Sequence, residues 1–269
     1  MSASMRNRII IGMILIGIVA LTVVVGGYFM NAVALLSMAG TLFEMYRAIK
    51  HVAPTIRLWP MLLFVVINAA AAWQWGLTGV VGAFVACVML IFAQKILAGE
   101  LDFTGIMYSV FVLIYPGLFG AMLFHLTLLP DPLGRMGMLM AVFYASAPDM
   151  FAYFVGMTFG KHKMAPIISP KKSWEGEAGA LLGGLVTGVA MYFLQGAYGI
   201  AIPIWHHLVL GLVCSVCGTI GDLAASLIKR SVGIKDYSRL LLDHGGLMDR
   251  FDSVLFVAPV ICVYFLVFI

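Results

Sequence analysis

Residues 221–252 read GDLAASLIKRSVGIKDYSRLLLDHGGLMDRFD. This stretch holds five of the chain's twelve acidic residues and five of its sixteen lysines and arginines. An apolar run adjoins it on either side. Asp222, Ser226 and Lys229 follow at i, i+4 and i+7, which is one face of a helix. Asp249 and Asp252, three apart, share a face at the start of the next helix. Charge gathered between two apolar runs marks the place where one membrane span ends and another begins. Carboxylates on two such spans, facing each other across a basic loop, point to a metal ion and a polyanion.

The rest of the chain is mostly hydrocarbon. Of 269 residues, 63% are apolar and 10% charged, and the mean hydropathy is +1.06. Soluble domains carry about a quarter charged residues, so the class is an all-α polytopic membrane protein. About twenty apolar residues suffice for one span. That criterion gives nine, at 9–26, 29–45, 58–74, 77–95, 104–127, 136–159, 178–196, 204–228 and 251–269. Pro116 is expected to kink the fifth. Arg6 and Arg8 before the first run imitate a signal peptide, but the run lacks a small-residue cleavage site and passes almost directly into a second, so a retained span is expected. No soluble domain fits between the spans. Residues 1–135 are expected to be scaffold and 136–269 to carry the site, within one integrated membrane domain.

The connecting segments give the orientation. Counted by alternation, one side receives Arg6, Arg8, Arg47, Lys50, Arg57, Lys95, Lys161, Lys163, Lys171, Lys172, Lys229, Arg230, Lys235, Arg239 and Arg250, and the other only Arg135. A bias of fifteen to one puts the N-terminus in the cytoplasm and the C-terminus outside. The net charge of +4 is then a matter of topology, with no nucleic acid implied.

The first five spans carry little chemistry. Trp59, Trp73 and Trp75 sit where an interfacial aromatic belt is expected. Glu44 and Arg47, three apart, read as a structural pair. His51 and His125 have no metal-binding partner at helical spacing. The four cysteines lie inside apolar runs, and Cys214-x2-Cys217 has no second ligand pair, so all four read as small core residues.

From the sixth span onward the residues are more telling. Asp149 is ionisable and lies well inside its span, where a carboxylate faces a cavity or a partner. Pro148 beside it loosens the preceding turn. Asp149, Tyr153, Gly156 and Gly160 form a stripe on one face, and Gly156 with Gly160 also makes a GxxxG packing pattern. The loop that follows, GKHKMAPIISPKKSWEGE, is no P-loop, because the spacing is wrong and His162 stands where Ser or Thr belongs. Ser173 reads as a helix N-cap, with Glu175 and Glu177 at the positive helix end. Lysines beside such a terminus can cradle phosphate. Gly179, Gly183, Gly184 and Gly188 predict close packing of the seventh span. His206 and His207 are adjacent, so they do not share a helix face and make a poor metal site.

Two patterns then combine. Ser226-x2-Lys229-Arg230-x4-Lys235-Asp236 precedes His244-Gly245-Gly246-x2-Asp249-Arg250-x-Asp252, and Ser169-Pro-Lys-Lys-Ser-Trp-Glu-Gly176 stands upstream. Together, and with Asp149 before the AYFVG run at 152–156, they resemble the signature of the phosphatidate cytidylyltransferase (CDP-diacylglycerol synthase) family. The resemblance covers roughly residues 140–260. It departs at Leu242-Asp243, where the family has Pro-Gly before the His-Gly-Gly.

The resemblance implies transfer of a cytidylyl group from CTP to phosphatidic acid in a bacterial-type cytoplasmic membrane, at the cytoplasmic side. Asp222, Asp249 and Asp252 are hard oxygen donors suited to Mg²⁺. Asp222 and Asp249 are the expected metal ligands, with Asp252 an additional one. Lys229, Arg250 and His244 join Asp222 and Asp249 as expected catalytic residues. Ser169, Lys171, Lys172, Trp174, Glu175, Arg230, Lys235 and Asp236 are expected to bind substrate, and Asp149 to shape the polar cavity or hold a second cation. A homodimer is implied by the resemblance alone. A CTP-dependent enzyme acting on another membrane lipid, such as a polyprenol kinase or an archaeal-lipid cytidylyltransferase, is the alternative. A cation-coupled transporter fits less well, since the chain shows no paired repeats.

Overall fold

The structure, a computed structural model, describes residues 13–14, 17–238, 240 and 245–269. Its helices are α1 (Gly27–Lys50), α2 (Trp59–Leu97), α3 (Phe103–Val112), α4 (Phe119–Leu128), α5 (Leu133–Phe159), α6 (Trp174–Gln195), α7 (Ile204–Ser231) and α8 (Met248–Phe268). Two short strands, β1 (Lys163–Ala165) and β2 (Ser169–Ser173), pair antiparallel between α5 and α6. Among the described residues, seven helical stretches are long and apolar enough to cross a membrane, with α3 and α4 joined as one. The protein is an all-α integral membrane protein.

One of the seven does double duty. Helix α2 has 39 residues, about 58 Å if straight, against a hydrocarbon core of about 30 Å. It is not straight. Gly76 takes φ 57° and ψ −138°, a left-handed backbone open to glycine. Beyond it the chain folds back, so that a Cβ on Gly79 would run into the backbone of Ala71 and Ala72. The two arms correspond to the spans expected at 58–74 and 77–95. Of the first expected span, 9–26, residues 13–14 and 17–25 are helical, while 9–12 and 15–16 lie outside the described residues, as do Arg6 and Arg8. The kink expected at Pro116 is present: residues Leu113–Leu118 form a π-helical turn in which Tyr115 leaves helical geometry at φ −122° and ψ 104°. The residue before a proline is pushed out of the α region in this way.

The chain folds as two compact units, Met1–Leu128 with Val232–Arg250, and Leu129–Ser231 with Phe251–Ile269. In the first unit, Met38, Leu42, Met45, Met61, Phe64, Leu113, Leu123 and Leu126 are fully buried. Buried Lys95 anchors the α2–α3 connection by donating to Glu100 at 2.6 Å, to Asp102 at 2.8 Å and to the Thr55 carbonyl at 3.2 Å. Asp102 also caps α3, accepting from the Gly105 amide at 2.9 Å. The Lys95 hydrogen bond, helped by Thr55 and Gly105, pulls the Asp102 carboxyl down to about 2.

The second unit is held by small residues. Gly184 and Gly211 leave no room for side chains where α6 crosses α7. His207, fully buried, meets the Tyr144 hydroxyl at 3.0 Å through Nδ1 and Gln195 Oε1 at 3.1 Å through Nε2. His206 Nδ1 meets the Tyr264 hydroxyl at 2.9 Å. Both histidines are thus packing residues. Cys87, Cys214 and Cys262 are buried free thiols, and Cys217 is half-buried.

Candidate active site

In the second unit, helices α5, α7 and α8 each contribute an aspartate, and β2 contributes a lysine. Asp222 Oδ2 receives Lys172 Nζ at 2.8 Å, with both side chains partly exposed. Ser226, one turn on, donates to Asp222 Oδ1 at 3.4 Å, as the i, i+4 spacing implied. Asp149 Oδ2 accepts from Ser253 Oγ at 2.9 Å. Asp252, nine-tenths buried, accepts from the Ser253 amide at 2.8 Å. Asp149 lies in the electrostatic field of Lys172, Asp222 and Glu177, and Asp252 in that of Asp222, Asp149 and Lys229. The lysines and the Ser253 donors favour these buried charges, while the neighbouring acids repel them. The close approach of α7 to α8 is made by Gly221: a Cβ there would sit 2.5 Å from the Asp252 carbonyl and 3.0 Å from the Phe256 ring.

The β-hairpin delivers the lysines. Successive side chains of a strand point to opposite faces, so Lys172 turns inward to Asp222 while Lys171 stays exposed. Ser169 opens β2 half-buried. Ser173 caps α6, its hydroxyl accepting from the Gly176 amide at 3.2 Å, as its position predicted. The strands themselves were not expected, because three and five residues are too short for a legible alternation. Glu175 acts locally, holding the start of the hairpin. It accepts from the Lys161 amide at 3.1 Å and the His162 amide at 3.2 Å, and meets His162 Nδ1 at 2.6 Å. Trp174 is exposed. Arg230 Nε lies 3.5 Å from the Ile168 carbonyl. Tyr153 is 64% exposed, so the stripe expected on α5 divides: Gly156 and Gly160 pack on Ser173, while the tyrosine faces outward.

In the first unit, Asp249 Oδ2 accepts from the Tyr237 amide at 3.0 Å and the Gly246 amide at 2.9 Å. Arg250 is exposed on the first turn of α8. Lys235 and Asp236 line an open cavity of about 520 Å³ with Arg47 and Ser238. Glu44 does not behave as the helix-surface partner of Arg47. It is buried among loop amides, while the Arg47 guanidinium lies 5.9 Å over the Phe43 ring. His244, Arg239 and Leu242-Asp243 lie outside the described residues.

The profile of the Cytidylyltransferase family matches residues 6–268. The chain belongs to this family. A phosphatidate cytidylyltransferase of Mycobacterium bovis is 30% identical over 270 residues, covering 93% of this chain and 85% of the relative. That of Mycobacterium tuberculosis (strain H37Rv) is 30% identical over 93% of this chain and 79% of the relative. The protein of the same name from Aquifex aeolicus is 40% identical over 152 residues, 56% of this chain and 54% of the relative.

Among the described residues of this cytidylyltransferase, no three Asp, Glu, His or Cys side chains form a ready-made metal cage. Mg²⁺ does not require one, since it binds through one or two carboxylates together with water and substrate phosphates. The donors of the second unit are carboxylates set beside lysines and hydroxyls, which is the hard-oxygen chemistry that ion takes. Sequence reasoning gave no site role to Glu177, whose Oε2 accepts from Thr219 Oγ1 at 2.8 Å. Nor did it see what Glu44 holds. Glu177 could have been found as the second acid of the Trp-Glu-Gly-Glu run. Glu44 left no local signal.

Proposed function

We propose that this membrane cytidylyltransferase transfers the cytidylyl group of CTP to phosphatidic acid, giving CDP-diacylglycerol and pyrophosphate. The observation that carries this reading is the Lys172–Asp222 pair at 2.8 Å, set among Asp149, Asp252 and Lys229. Acids and lysines gathered on membrane helices suit a reaction between two polyanions.

A phosphomonoester with a second pKa near about 6 is mostly dianionic at neutral pH. Its oxygen can attack the α-phosphorus of CTP without a strong base. The bond from that phosphorus to the bridging oxygen breaks, and pyrophosphate leaves. The demand on the protein is to bring two anions together, and positioned cations meet it. Lys171, Lys172, Lys229, Arg230, Lys235 and Arg250 are assigned that role, toward CTP, the lipid head group and pyrophosphate. Asp222 and Asp249, with Asp252 as an additional ligand, are the proposed holders of Mg²⁺, and Asp149 of a second cation. When bound, Mg²⁺ supplies charge neutralisation on the phosphates. Asp222 is seven residues from Lys229, about 10 Å along α7, a depth at which nucleotide entering from water can meet a lipid head group.

The strong bias of basic residues supports an active site on the cytoplasmic side. Pairing of two copies belongs to the same proposal. Purified protein supplied with Mg²⁺, phosphatidic acid and CTP labelled at the α-phosphate tests the reading. The expected result is label in the lipid fraction with an equal amount of pyrophosphate. Label released as CDP, with a lipid alcohol phosphorylated instead, overturns it.

A further inference from the structure

We infer that Glu44 is a positioning residue for cytidylyl transfer, its buried carboxylate fixing both flanks of the loop between Ser238 and Met248. The inference rests on the proposed function above. Glu44 lies on α1 and is 3% exposed. Its Oε1 accepts from Ser238 Oγ at 2.6 Å and from the Leu247 amide at 3.0 Å, and its Oε2 accepts from the Met248 amide at 2.7 Å. A carboxylate buried to this degree is costly unless its oxygens are satisfied, and three donors satisfy it.

The donors are not interchangeable with core contacts. Leu247 and Met248 open α8, where backbone N–H groups have no partner within the helix and negative charge is favoured. Gly246 comes so near that a Cβ on it would run into the Glu44 carboxyl group. From the other side, Asp249 Oδ2 takes the Gly246 and Tyr237 amides. Two acids, one from α1 and one from α8, therefore grip the same backbone. Ser238, held by Glu44, lines the cavity of about 520 Å³ that also presents Arg47, Lys235 and Asp236. The loop thus carries Lys235 and Asp236 on one flank and Asp249 on the other. A displacement of about 1 Å in such groups costs on the order of a hundredfold in rate.

Glu44→Gln keeps the size of the side chain but turns an amide N–H toward one of the three donors. The expected result is a fall in kcat/KM for CTP of roughly ten- to a hundredfold, in a protein that still unfolds cooperatively with a midpoint lowered by only a few degrees. Hydrogen exchange at the Gly246, Leu247 and Met248 amides should quicken at least about tenfold, the amount that a 1.4 kcal/mol loss of local protection gives. Ser238→Ala should cause a smaller loss, and the double variant should be no worse than Glu44→Gln alone, since both act on one contact. A Glu44→Gln protein with wild-type kcat/KM overturns the inference, and so do additive losses in the double variant. Should Glu44→Gln fail to fold, Ser238→Ala decides: reduced turnover in a folded protein supports the inference, and wild-type turnover contradicts it. If the wild type itself makes no CDP-lipid, the proposed function fails, while the exchange rates still report on the loop.

Discussion

Two pairs of acids, one in each unit, are held differently. In the first, Glu44 and Asp249 accept mainly from backbone amides of one loop, at 2.7–3.0 Å. In the second, Asp222 faces a lysine from β2 and a hydroxyl one turn on along its own helix, and Asp149 faces a hydroxyl from α8. Amide donors are fixed by the fold, so carboxylates bound to them act as structural clamps. A lysine or serine side chain can rotate away, so carboxylates facing those groups can exchange a protein partner for a ligand. Asp249 falls between the classes: its Oδ2 accepts from two backbone amides, and it is also a proposed metal ligand.

The comparison can be broken first by removing divalent metal. Chelation with EDTA should lower CDP-diacylglycerol formation by about a thousandfold or more, and added Mg²⁺ should restore it; full turnover in EDTA would remove the metal assignment. Next, Lys172→Met deletes the side-chain cation that faces Asp222. A loss of roughly a hundredfold in kcat/KM for CTP is expected, the scale for removing one positioned donor. Lys171→Met, altering an exposed side chain on the other face of β2, should cost less, and the ratio measured in parallel checks the hairpin's orientation. Gly221→Leu should force α7 and α8 apart and destabilise the second unit by about 1–3 kcal/mol, read as a lower unfolding midpoint.

The smallest effect concerns a clamp of the first unit. The carboxyl of Asp102 is held down to about 2 by Lys95, against 3.8 ordinarily. A folded-state pKa below the unfolded one contributes stability above the unfolded value, and that contribution is lost as pH falls toward the folded one. Asp102→Asn keeps an oxygen to cap α3 but removes the charge. It should therefore lower the unfolding midpoint at pH 7, and the gap to wild type should close between about pH 4 and pH 2. A gap independent of pH would mean that the Lys95 pairing contributes nothing.

The spans were legible because each is written locally, in some twenty consecutive apolar residues. Even the reversal at Gly76 was marked, by a break between residues 74 and 77. Ser173 was legible for the same reason, since an N-cap bonds its target three residues on. What stayed hidden depends on long separations. Glu44 meets Ser238 and Met248 across 194 and 204 residues, and nothing near Glu44 announces them. Glu175 was legible as an acid in the first turn of a helix, but not that its partners would be the His162 ring and amides at the start of the hairpin. Asp149 was legible as a buried carboxylate needing a partner, but not that Ser253 would provide one.

The most direct test compares wild type with Asp222→Asn and Asp249→Asn, purified and supplied with CTP, phosphatidic acid and Mg²⁺. Each variant is expected to fold and insert normally while losing nearly all CDP-diacylglycerol formation. Turnover within a few-fold of wild type in either one would contradict the role given to that carboxylate.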